Sequence, residues 1–137
     1  MDNRQGANEA MIGATINEWH SNLQAAITAH AEALSSLYSA ERRHYATVEA
    51  VDAAEAAIIL NPLNFADCGN DRQRVAKTKV LMMTDEGALM TRRNEFDARM
   101  DRDTARVAEK RALGEISLCK RRYDAAIAML NVLGSDL

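Results

Sequence analysis

The chain has one proline, Pro62, and six glycines in 137 residues, so long stretches hold nothing that breaks a helix. Aromatic residues make up only 4% of it, and alanine dominates an apolar fraction of 47%. Such a composition buries a thin seam along helices more readily than a thick globular core. No apolar run approaches the roughly twenty residues of a membrane-spanning helix. The opening MDNRQGANEA lacks a basic-then-apolar leader. The two cysteines, Cys68 and Cys119, lie far apart and neither belongs to a CxxC pair. They imply no disulfide framework, and a reducing cytoplasmic setting is the expectation. Lysine is absent before Lys77, and charge is divided accordingly. Residues 1–70 carry three basic and nine acidic side chains, whereas residues 71–137 carry fourteen and eleven. An acidic half and a basic half can complement each other along a helix–helix rim.

What is present is heptad periodicity. Over residues 12–58, alternate steps of four and three give one row of Ile16, Leu23, His30, Leu37, His44, Val51 and Ile58. The companion row is Ile12, Trp19, Ala26, Ala33, Ala40, Thr47 and Ala54. Small side chains in the second row let another backbone come close. Pro62 ends this helix and drives Asn61 out of the helical region. The following LNPLNFADCGNDRQRV is rich in turn formers, with Leu63 and Phe65 placed to plug the helix ends. Asn70 with Gln73 has the form of a capping box, and Asp71 suits the positive end of a new helix. A second break is expected at Thr84–Gly87, with Thr84 as the cap. In the last helix, Leu89, Phe96, Met100 and Val107 form one stripe. It resumes as Ile116, Cys119, Tyr123, Ala126, Leu130 and Leu133, so a stutter is expected near Asp103 and Thr104.

These signals predict an all-α antiparallel hairpin of long helices in one domain. The expected elements are a helix at about 11–60, a corner at 61–70, a short helix at about 71–83 and a helix at about 85–133. The two long helices would each span roughly 70–75 Å at 1.5 Å per residue. A two-helix hairpin has little interior, so a homodimeric four-helix assembly is expected to cover its apolar edges.

No catalytic motif accompanies this framework, and an enzyme is not expected. The three histidines are ten and fourteen residues apart, too far to share a metal on one helix. His30 and His44 fall on the seam, where a polar residue sets register and where protonation could act on an interface. No glycine-rich phosphate loop occurs, and no cofactor is implied. The basic residues Arg92, Arg99, Arg102, Arg106 and Lys110 recur at steps of seven, three, four and four, with a second cluster at Lys120, Arg121 and Arg122. Such a stripe could follow a phosphate backbone. Interleaved acids such as Glu95 and Asp103 offer local pairs, and no aromatic platform accompanies the stripe. Leu63, Phe65, Met82 and Met83 form the candidate partner-binding corner, methionine being adaptable at partner surfaces.

The second half resembles a loose group of small phage-encoded helical-hairpin proteins. The resemblance lies in Asn70 to Arg74 at a helix start, the acidic break Asp85–Glu86, and Arg121–Arg122–Tyr123 running into the apolar tail to Leu133. It covers roughly residues 60–133. It implies a phage or prophage origin and a hairpin fold, with no established activity. The expected function is a non-enzymatic protein–protein interaction module, a small accessory or regulatory protein. The alternatives are a nucleic-acid accessory factor in recombination or replication, using the basic stripe, and a phage inhibitor of a host defence or nuclease protein.

Overall fold

A computed structural model describes residues 3–135. It is all-α, in the order α1 (Asn3–Leu60), a 3-10 turn (Pro62–Phe65), α2 (Asp71–Thr84) and α3 (Glu86–Ser135), and α1 packs against α3 as a helical hairpin. No strand occurs among the described residues.

The corner is built from side-chain caps. Asn61 has extended backbone, and its side chain accepts from the Leu63 amide at 3.2 Å while Asn64 Nδ2 donates to the Ile58 carbonyl at 3.0 Å. Asn70 Oδ1 accepts from the Gln73 amide at 2.9 Å, and Gln73 Oε1 accepts from the Gly69 amide at 2.6 Å. This is the reciprocal logic of a capping box, with the return bond displaced by one residue. Asn70→Ala is therefore expected to lower stability by about 1 kcal/mol in thermal unfolding, and Asn70→Asp by far less.

The break before α3 is capped differently from the sequence expectation. Thr84 stays within α2, bonding the Val80 carbonyl at 2.9 Å. Asp85 serves both helices: its amide closes α2 on Leu81 at 2.8 Å, and its carboxylate accepts from the Ala88 amide at 2.9 Å. A carboxylate outbids a hydroxyl there because it also meets the positive end of the helix.

The fold divides into two compact units. The connector unit is Leu37–Ala105, and the terminal unit pairs α1 up to Ser36 with α3 from Arg106 onward. In the connector unit, Ile58, Met82 and Ala88 form a buried cluster with Val51, Ala54, Phe65 and Leu81 packed around it. Phe65 is thus the plug, whereas Leu63 is 82% exposed and is not. In the terminal unit, the buried positions are Ala26, Cys119 and Ala126.

On α1 the inward residues are those of the two sequence rows. On α3 they are not the stripe of large residues as far as Val107, whereas from Ala112 onward Ile116, Cys119, Tyr123 and Ala126 of that stripe do face inward. The less exposed positions run Ala88, Thr91, Glu95, Ala98, Arg102, Ala105, Glu109, Ala112, Ile116, Cys119, Tyr123 and Ala126, in unbroken steps of three and four. The expected stutter does not occur. Phe96, Met100 and Val107 are each about half exposed and lie outside the seam.

Candidate interaction site

The seam of α3 is unusual in chemistry, being small and polar through its first half. That composition is explained by what α1 presents to it. In the connector unit, Glu95 Oε1 lies 3.0 Å from His44 Nε2, and Arg102 Nη1 lies 3.0 Å from His44 Nδ1. A guanidinium only donates, so Nδ1 accepts and the ring hydrogen sits on Nε2, directed at Glu95. Arg102 also donates through Nε and Nη2 to Asp103 Oδ1 at 3.1 and 2.9 Å. The side chains of His44, Glu95 and Arg102 are only 16–22% exposed. In the terminal unit, His30 Nε2 pairs with Glu109 Oε1 at 2.9 Å, again half-buried. Among the described residues, no buried side-chain nitrogen or oxygen lacks a partner. Such layers reward one register, since any slip strands a charged or polar group against apolar neighbours.

The terminal unit adds an aromatic clasp. The Arg122 guanidinium carbon lies 4.7 Å from the Trp19 ring centroid, and the His20 and Tyr123 rings are 5.8 Å apart at 54°. Trp19 thereby packs on α3, as its place in the alanine row suggests.

These arrangements reassign part of the basic stripe. Arg92, Arg99 and Arg106 do recur at seven-residue steps along one flank, with Lys110 beside it. Arg102 does not share that surface, because it turns into the seam toward His44. Successive 100° steps send Lys120, Arg121 and Arg122 in three directions, and Arg122 is committed to Trp19. Arg99 lies over its own-helix neighbour Phe96, 5.5 Å from the ring centroid.

The candidate corner is also divided. Met82 is 7% exposed and belongs to the buried cluster, as Phe65 does in part. They serve as core, leaving Leu63 and Met83 outward. Met83 meets α3 in an open groove of about 440 Å³ lined by Leu89, Arg92, Arg93, Phe96 and Asp97. A second groove of about 430 Å³ shares Met83 and Arg92 and reaches Val51, Glu55, Thr78 and Met82 between the three helices. Two candidates that the sequence treats separately, Met83 and Arg92, are thus brought together.

Chemistry is sparse elsewhere. No group of three metal-ligating side chains converges among the described residues. Cys119 is buried, and Cys68 is partly covered with its sulfur 3.8 Å from Asp67. The hydrogen bond from Lys77 holds the Asp67 carboxyl below its ordinary value. Whatever this pair adds to stability is present above the usual carboxylate range and is lost as the pH falls through the depressed value. No described helix is long and apolar enough to cross a membrane. No protein-family model matches the chain, and no curated protein or solved structure matches it.

Proposed function

We propose that this chain is a non-catalytic helical interaction module, a small accessory or regulatory protein whose docking groove lies in the connector unit. The observation that carries this reading is a second apolar stripe on α3. Leu89, Phe96 and Met100 repeat at helical spacing, yet the hairpin seam uses a different face. With Met83, Leu89 and Phe96 line an open apolar trough rimmed by Arg92 and Arg93, the form expected of a groove that receives an amphipathic helix. Phe96 and Arg are residue types that dominate interface energetics.

A nucleic-acid accessory role draws less support. Arg102 is spent in the seam, Arg122 on Trp19, and Asp97 shares the groove with Arg92. Phage origin rests on the resemblance of residues 60–133 alone.

The test is a photo-cross-linking residue placed at position 96 of the full chain in cells that encode it. A discrete adduct is expected at 96, absent from the exposed control position 53, and lost when Arg92 and Arg93 are both changed to Glu. A yield at 96 no higher than at 53 would sink the reading.

A further inference from the structure

We infer that the connector unit carries a proton-operated latch, in which protonation of His44 unseats Arg102 from the seam. The latch is independent of the docking groove and concerns how α1 and α3 hold each other.

The two nitrogens of one ring have incompatible demands once it is charged. His44 Nε2 lies 3.0 Å from Glu95 Oε1, and Nδ1 lies 3.0 Å from Arg102 Nη1. A guanidinium offers donors only and stays charged throughout the range in which histidine titrates. Nδ1 therefore holds Arg102 only while it keeps its lone pair. A protonated ring donates from both nitrogens. Its Nδ1–H would then point at an N–H, and two cations would stand at a 3.0 Å contact. The His44 and Arg102 side chains are only 16% and 20% exposed, so water screens that repulsion poorly. The Glu95 contact responds the other way, because it becomes a charge-assisted ion pair. One proton thus tightens half of the layer and breaks the other half.

Arg102 has a place to go. Its Nε and Nη2 already donate to Asp103 Oδ1 at 3.1 and 2.9 Å, and the Asp103 side chain is 51% exposed. Leaving His44 frees only Nη1, while Asp103 keeps the rest of the fork at the solvent edge. The other charges near the ring do not take over that contact. Arg43, beside His44 on α1, is bonded to Asp101 at 2.8 Å, and both of those side chains are exposed. Glu41 stands one turn before His44 on α1, partly covered, and as an acid it is compatible with a charged ring. α2 meets α1 further along, at Val51 and Glu55.

NMR on the full chain tests this between about pH 8 and about pH 5, a range that charges histidine and leaves glutamate ionised. At the upper end, the ring nitrogen shifts are expected to place the His44 proton on Nε2, with a cross-peak from His44 Hε1 to the Arg102 side chain. On acidification Nδ1 gains its proton. The cross-peak is expected to disappear over the same pH steps, while the Arg102 Nε–Hε signal moves. His44→Gln is the control, since glutamine keeps a donor and an acceptor but takes no proton. In that variant the Arg102 signal is expected to stay in place throughout. If the variant does not fold, the wild-type titration decides alone. A proton on Nδ1 at the upper end overturns the inference, as does a ring that stays neutral throughout. So does an Arg102 cross-peak that outlasts protonation of the ring, or an Arg102 signal that moves equally in the glutamine variant.

Discussion

Replacing Ala98 with leucine will destabilise the protein by about 1–3 kcal/mol, lowering the midpoint of thermal unfolding by several degrees. Ala98 has no exposed surface at all, and Ala88 only 2%. Both stand in the inner row of α3, where the side chains between its polar members are alanine or threonine up to Ala112. A row of such small residues sets a short distance between helix axes, because interaxial separation follows the size of the contacting side chains. Three added carbons at position 98 have nowhere to go without pushing α1 away from the His44 and Glu95 layer. Ala53→Leu, on the exposed side of α1, is the control and is expected to stay within about 0.5 kcal/mol of wild type. Equal effects at 53 and 98 would mean that α1 and α3 are not closely apposed there.

The second large effect comes from breaking the polar layer of the connector unit unevenly. Glu95→Ala removes the acceptor of His44 Nε2 and leaves that ring hydrogen, largely buried, without its partner across the seam. A buried donor left without its acceptor costs about 1–3 kcal/mol. The side chains here retain 16–22% exposure, so water recovers part of that and about 2 kcal/mol is expected. Replacing His44, Glu95 and Arg102 together with leucine should behave differently. The desolvation of three polar groups disappears along with their mutual bonds, and stability is expected to be within about 1 kcal/mol of wild type or higher. What the triple variant should lose is registration, since leucines accept neighbours one heptad away as readily. Urea unfolding read by circular dichroism gives both numbers, provided the slope is unchanged. A single substitution as mild as the triple one would show that the layer contributes no specificity.

The all-α hairpin was legible because α1 advertises it. Its large row from Ile16 to Ile58 and its alanine row keep phase over more than six heptads, and Pro62 admits only one stopping point. The Asn70 cap was equally plain, since its geometry is local. The inner face of α3 was hidden for a physical reason. Hydrophobic periodicity detects large apolar residues, and here these sit on the outer flank at Leu89, Phe96 and Met100. As far as Ala112 the true seam consists of Ala, Thr, Glu and Arg, residue types that read as solvent face, and only beyond it do Ile116, Cys119 and Tyr123 make it legible. One signal could have found it. His30 and His44 are fourteen residues apart on α1, and Glu95 and Glu109 are fourteen apart on α3. An antiparallel pair that satisfies one histidine with a glutamate therefore satisfies the other as well. Arg102 misled the reading of the basic stripe in the same way. Spacing alone cannot tell an arginine on the flank from one turned inward, because the partner that draws it in lies 58 residues away. The corner residues were separable only by packing: Met82 and Met83 are adjacent, yet one is core and the other is surface.

The central claim is that α1 and α3 run antiparallel in the one register that seats each seam histidine on its glutamate. Nuclear Overhauser contacts from the imidazole protons test it most directly, because the chain has only three histidines to resolve. Cross-peaks are expected from His44 to the Glu95 side chain and from His30 to the Glu109 side chain, with His20 touching the Tyr123 ring. Cross-peaks displaced by a heptad, or histidine rings with no neighbour on α3, would contradict the account.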